Sequence, residues 1–172
     1  MKIKIKICGI TDFNTMSTIS NLKVDYVGLV FFEKSPRNIT IDKAKSLIKY
    51  LNNKTKIVAL TVNANDQFLR KIVTHLSPDY LQLHGKESPY RCFEIKKKFK
   101  TKIIKAISAK SYKNLNFEIN KYKFTTDEII IDSPKDHLPG GNGKTFNWKL
   151  LKKERKKIEW LLAGRINLSN VS

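Results

Sequence analysis

The chain has 172 residues, 41% of them hydrophobic, and carries 34 lysines and arginines against 15 aspartates and glutamates, a formal net charge of +19. That length fits a single domain, residues 1–172, and Cys8 and Cys92 lie too far apart for a structural zinc site or a disulfide-dense secreted module. No stretch approaches the roughly 20 apolar residues of a membrane span, and the opening Met1–Ile7 alternates lysine with isoleucine where a signal peptide needs a continuous apolar run, so a cytoplasmic protein without membrane contact is expected.

Seven short β-branched runs recur along the chain, at Lys2–Cys8, Asp25–Phe32, Lys56–Val62, Tyr80–His84, Lys102–Ile107, Glu128–Asp132 and Ile158–Ala163. Between them apolar residues fall at helical spacing, as in Ala44, Leu47, Ile48 and Leu51, or Phe68, Ile72, Val73 and Leu76. The alternation predicts βα units around a parallel sheet, either a (β/α) barrel or an open doubly wound sheet. No Pro/Gly/Ser linker divides the chain, and no repeat is visible beyond the βα rhythm. Basic runs at Lys96-Lys97-Lys98 and Lys152-Lys153-Glu154-Arg155-Lys156-Lys157 read as solvated helix faces. Without a zinc-finger or RRM signature they indicate no specific nucleic acid, while the positive field still favours anionic ligands.

Cys8, Asn63, His84 and Asp132 each close an apolar run. In both candidate architectures ligands gather at the carboxyl ends of the strands, so these tips mark a site. Because successive strand residues face opposite sides, Ile3, Ile5 and Ile7 should pack under helices while Lys6 and Cys8 point inward. The same alternation sends Gln82 and His84 inward and puts Asp132 on the face of Ile130. Lys2 and Lys4 share the parity of Lys6 and belong at a solvated bottom, since buried unpaired ammonium groups are costly. Taken alone, Cys8 reads as a buried thiol and Asp132 equally as a turn or helix cap. Cys92 reads as core, and His75 and His137 suggest no function.

The segment Lys6-Ile7-Cys8-Gly9-Ile10-Thr11 is followed in order by Val24–Phe31 with Ser35-Pro36-Arg37, by Val62-Asn63 and by Leu81-Gln82-Leu83-His84-Gly85. Asp132, Gly140–Trp148 and Leu162-Ala163-Gly164-Arg165-Ile166 with Asn170-Val171 complete the series. Together these blocks resemble the phosphoribosylanthranilate isomerases of tryptophan biosynthesis over essentially the whole chain. The resemblance implies an α/β, TIM (β/α)8-type barrel of which about seven strands are identifiable here. It also implies an Amadori rearrangement of a small phosphorylated substrate, with no cofactor or metal. Asp132 corresponds to the general acid and Cys8 to the general base. Burial among isoleucines favours a protonated carboxyl, and an inward Lys6 favours a thiolate. Arg37 corresponds to the residue holding the anthranilate carboxylate, for which a planar guanidinium is suited. Gln82 and His84 line the site, with His84 equally open to a structural role, and the phosphate rests near Gly141, Asn142, Gly143 and Gly164.

The sequence also departs from the family pattern. Asn142 stands where threonine is usual, Asn147 for aspartate, Arg165 for a second glycine and Leu168 for proline. Arg165 either disturbs the phosphate loop or binds the phosphate directly. The chain ends where the family continues into an eighth strand, so a monomer, a homodimer, or completion by another chain are all expectations. Competing readings are an incomplete, non-catalytic barrel that retains phosphate-ligand binding, indole-3-glycerol phosphate synthase, and a basic nucleic-acid-binding protein.

Overall fold

A computed structural model describes residues 3–108, 111–132, 158–164, 166–167 and 169–170. The strands are β1 (Lys6–Cys8), β2 (Tyr26–Phe31), β3 (Lys56–Thr61), β4 (Tyr80–Leu83), β5 (Lys102–Ser108), β6 (Glu128–Asp132) and β7 (Glu159–Leu162). Helices α1 (Phe13–Leu22), α2 (Ile41–Ile48), α3 (Asp66–Leu76), α4 (Pro89–Phe99) and α5 (Tyr112–Tyr122) each follow the strand of the same number. Every helix opens on a side chain that accepts from a first-turn amide: Asp12, Thr40, Asn65, Ser88 and Ser111. Lys96, Lys97 and Lys98 occupy the last turn of α4, where cations complement the helix dipole.

All strands pair in parallel, in the order β1-β2-β3-β4-β5-β6-β7. The sheet is strongly curled. Flat strands about 4.8 Å apart would separate β2 from β6 by roughly 19 Å, yet the Tyr26 hydroxyl on β2 donates to Glu128 Oε1 on β6 at 3.0 Å. Tyr80 donates to the same oxygen at 2.9 Å, and Lys4, just before β1, reaches Glu159 on β7 at 3.0 Å. Inward residues Tyr26, Val58, Tyr80, Ile104, Ala106 and Ile130 form one buried cluster. A larger one, including Val27, Leu29, Leu81, Ile103, Ile129 and Ile131 with helix residues Met16, Leu47, Ile72, Ile95 and Leu115, lies between sheet and helices. This two-layer arrangement is that of a (β/α) barrel.

Three aspartates repeat one contact at the amino-terminal end of the sheet. Asp25, Asp79 and Asp127 precede β2, β4 and β6, and each accepts from a backbone amide on or beside the preceding strand: Ile5 at 2.8 Å, Ile57 at 2.8 Å and Ile103 at 2.9 Å. The βα rhythm therefore does contain a residue-level repeat, every second unit.

Two expectations are corrected. The first strand begins at Lys6, because pairing with β2 starts at Lys6 and Tyr26, and Ile3 and Ile5 are exposed, not packed under helices. Within α3 the buried face is Leu69, Ile72 and Leu76, while Phe68 lies toward solvent. Among the described residues no helix is long and apolar enough to cross a membrane.

Candidate active site

Alternation along the strands carries Cys8, Gln82, His84 and Asp132 to the inner face at the carboxyl ends of β1, β4 and β6, as their parity predicts. Cys8 pairs with Gly28 across the β1–β2 ladder. Its thiol lies directly over that glycine: a Cβ added at Gly28 would stand 2.5 Å from Cys8 Sγ. The missing side chain on β2 is the space the thiol occupies.

Arg37, in the loop after β2, folds back toward the same strand tip. Its Nη1 donates to the Cys8 carbonyl at 3.3 Å, and its stem crosses Gly9, where any Cβ would collide with Arg37 Cδ. Gly9 has φ of 88°, a conformation side chains rarely adopt. Two features of one glycine thus hold the guanidinium beside Cys8.

Asp132 and His84 are both buried, with His84 Nε2 3.5 Å from Asp132 Oδ2. On the opposite side of the ring, Gln82 Nε2 stands 3.0 Å from His84 Nδ1. Gln82 thus touches one ring nitrogen while the other faces Asp132. Gln82 Oε1 is buried without a hydrogen bond among the described residues.

Asn63 closes β3 at φ of 49°, with its Oδ1 accepting from Lys86 N at 2.7 Å. Sequence reasoning missed what lies behind it. Lys105 faces the helix layer and is 2% exposed; its ammonium donates to Leu83 O at 3.0 Å, Gly85 O at 3.0 Å and Glu87 Oε2 at 2.9 Å. Burial alone would raise the Glu87 pKa, but the attraction and hydrogen bond of Lys105, with backbone donors, hold it below its usual 4.5. A lysine inside the apolar run Ile103–Ile107 was the available signal. Cys92 is fully buried on the inner face of α4, as expected, and burial pushes its thiol up to about 11. His75 hydrogen-bonds only its own helix among the described residues, to Lys71 O.

Gly164 follows β7 by two residues, at the same end of the sheet. Gly141, Asn142, Gly143 and Arg165 lie outside the described residues, as do Asn147, Leu168, His137 and the second basic run. Among the described residues no cluster of His, Cys, Asp or Glu is arranged to hold a metal.

The arrangement is one found in known proteins. The family model for N-(5′-phosphoribosyl)anthranilate isomerase matches residues 5–172. The isomerase of Agrobacterium fabrum is 38% identical over the whole chain, which spans 79% of that relative, and that of Beijerinckia indica is 39% identical, with 78% of its length spanned. The crystal structure of the Thermotoga maritima isomerase superposes with a TM-score of 0.85 at 28% identity, covering 99% of this chain and 80% of that one. A second isomerase structure, in complex with reduced 1-(o-carboxyphenylamino)-1-deoxyribulose 5-phosphate, gives a TM-score of 0.81 at 25% identity, covering 98% and 79%. With a barrel fold, a cysteine and an aspartate on inward strand tips, and a family match over nearly its full length, the chain belongs to the N-(5′-phosphoribosyl)anthranilate isomerase family.

Proposed function

We propose that the chain converts N-(5′-phosphoribosyl)anthranilate into 1-(2-carboxyphenylamino)-1-deoxyribulose 5-phosphate in tryptophan biosynthesis, with Asp132 as general acid and Cys8 as general base. The observation that carries the assignment is that Cys8 and Asp132 end β1 and β6 on the same inner face, the thiol over Gly28 and the carboxyl beside His84. The rearrangement needs one group to give a proton and another to take one. Asp132 protonates the furanose ring oxygen, opening the ring to a Schiff base. Cys8 then removes the proton from the adjacent sugar carbon, and the electron pair neutralises the iminium. The enolamine so formed tautomerises, a proton leaving the C2 hydroxyl and one arriving at C1, to give the keto product, and no step calls on a cofactor.

The surroundings support those roles. His84 Nε2 lies beside Asp132 Oδ2, so the imidazole orients the carboxyl group that gives its proton to substrate. The 3.5 Å separation is long for a hydrogen bond, and catalytic contacts commonly tighten when substrate binds. Arg37 takes the anthranilate carboxylate at the edge of the site, since a guanidinium binds carboxylates in bidentate fashion. Gln82 Oε1 is a buried acceptor for a substrate hydroxyl. The phosphate rests on the backbone at Gly141, Asn142, Gly143 and Gly164, with Arg165 as a direct cationic contact. We place the protein in the cytoplasm as a monomer or homodimer; the Thermotoga maritima isomerase is described as dimeric and in a monomeric form.

The test is turnover of phosphoribosylanthranilate by the purified chain, followed through the loss of anthranilate-type fluorescence. Sustained turnover supports the assignment. Well-folded protein without turnover overturns it in favour of a non-catalytic barrel.

A further inference from the structure

The buried pair Lys105–Glu87 lies on the outer side of the sheet and cannot touch a ligand in the barrel. Its contacts nevertheless converge on one short segment of backbone. Lys105 Nζ donates to the carbonyls of Leu83 and Gly85, the residues on either side of His84. Glu87 Oε2 accepts from Gly85 N at 2.9 Å as well as from Lys105. Its other oxygen accepts from Asn63 N at 2.7 Å, and its own carbonyl accepts from the Tyr122 hydroxyl at 2.9 Å. His84 N donates to Thr61 O at 2.9 Å. The backbone carrying His84 is thus fixed from β3, β5 and α5 together.

An ion pair is an expensive way to hold a loop in a helix–sheet layer, because both charges lose their hydration. Here every hydrogen bond of the two charged groups goes to the tips of β3 and β4 or to the loop after β4, while the helix layer contributes Tyr122, whose ring lies 5.7 Å from Lys105 Nζ. On the inner side the same segment presents the imidazole that faces Asp132. Substituting one apolar pair for the ions would fill the layer equally well but would leave the carbonyls of Leu83 and Gly85 without their shared donor.

We propose that Lys105 and Glu87 are positioning residues of the isomerisation, holding the His84 backbone so that its Nε2 stands against Asp132. This rests on the reading of Asp132 as the general acid. The pair acts through His84 and never contacts substrate. A displacement of about 1 Å at reacting groups costs on the order of a hundredfold in rate, which sets the scale for losing the clamp.

The experiment uses the full chain with Lys105→Met and with the charge-free double variant Lys105→Met/Glu87→Gln, which leaves no unpaired buried ion should the single variant fold poorly. Steady-state kinetics are read alongside the ring-nitrogen NMR signals of His84, assigned through His84→Gln. The expected result for the double variant is stable folding, kcat reduced on the order of a hundredfold with little change in KM, and displaced His84 ring-nitrogen signals. A double variant with parental kcat and unchanged His84 signals overturns the proposal and leaves the pair a structural brace. The NMR reading is separate from turnover. A parent chain that does not turn over ends the isomerase assignment, while unchanged His84 signals end the positioning proposal alone.

Discussion

Replacing Gly28 by alanine puts a methyl group where the Cys8 side chain now sits. The added Cβ falls 2.5 Å from Sγ and 3.0 Å from both Cα and Cβ of Cys8. Carbon and sulfur atoms rest at about 3.5–4.0 Å or more, so the thiol must move by about 1 Å or the β1–β2 ladder must part. Overpacking of this kind costs about 1–3 kcal/mol, offset by about 0.4–1 kcal/mol from the less flexible unfolded chain. A net loss of about 1–2 kcal/mol is expected in urea unfolding. The displaced base should lower kcat on the order of a hundredfold. A Cys8→Ala background removes the sulfur collision, so Gly28→Ala should there cost measurably less stability, a coupling that a double-mutant cycle reads directly. Full activity in Gly28→Ala, or an identical stability cost in both backgrounds, would refute the claim that Gly28 is the seat of the thiol.

Other outcomes follow from particular contacts. Arg37→Lys should raise KM by about ten- to a hundredfold, the equivalent of about 1.5–3 kcal/mol for a hydrogen bond to a charged group, with a smaller change in kcat; steady-state kinetics on phosphoribosylanthranilate check this. Glu87, whose folded pKa is depressed below 4.5, gives stability that is complete above that value and is lost as pH falls through its folded pKa. Glu87→Gln should therefore flatten the decline of unfolding free energy below about pH 4.5, measured by urea titration at stepped pH; an unchanged slope would remove Glu87 from the acid response. Under native conditions at pH 8 a thiol reagent should modify Cys8 well before Cys92, which is fully buried and holds its proton up to about 11. Two equally fast thiols would contradict that. Tyr26→Phe and Tyr80→Phe should each cost about 0.5–1.5 kcal/mol, and the pair more than the sum, because Glu128 then loses both phenol donors.

Period-two alternation made much of this fold legible, because it assigns each strand residue to the lumen or to the helix layer without tertiary knowledge. Seven strands, and the inward set Cys8, Gln82, His84 and Asp132, followed from that rule together with the tips where apolar runs stop. The same rule overextended the first strand. Lys2–Ile5 alternates well, but β2 offers pairing only from Tyr26 onward, and the Asp25 carboxylate takes the Ile5 amide before the ladder begins. Lys105 and Glu87 stayed hidden because hydropathy treats lysine and glutamate as solvent-facing, whereas three strand-tip acceptors make burial of this ammonium tolerable. Gly28 was likewise unremarkable in sequence. Its meaning depends on the register that sets it opposite Cys8. The contact of Gln82 with the His84 ring needed tertiary geometry, because alternation places the two side chains on the same face but does not orient them.

The acid–base assignment is tested most directly by turnover of phosphoribosylanthranilate in the parent, Cys8→Ser and Asp132→Asn proteins, with binding of the reduced product analogue measured in parallel. The account predicts that both variants bind the analogue much as the parent does and lose turnover by roughly 10²–10⁴-fold. A variant that binds and turns over at the parent's rate would show that its residue is neither the acid nor the base.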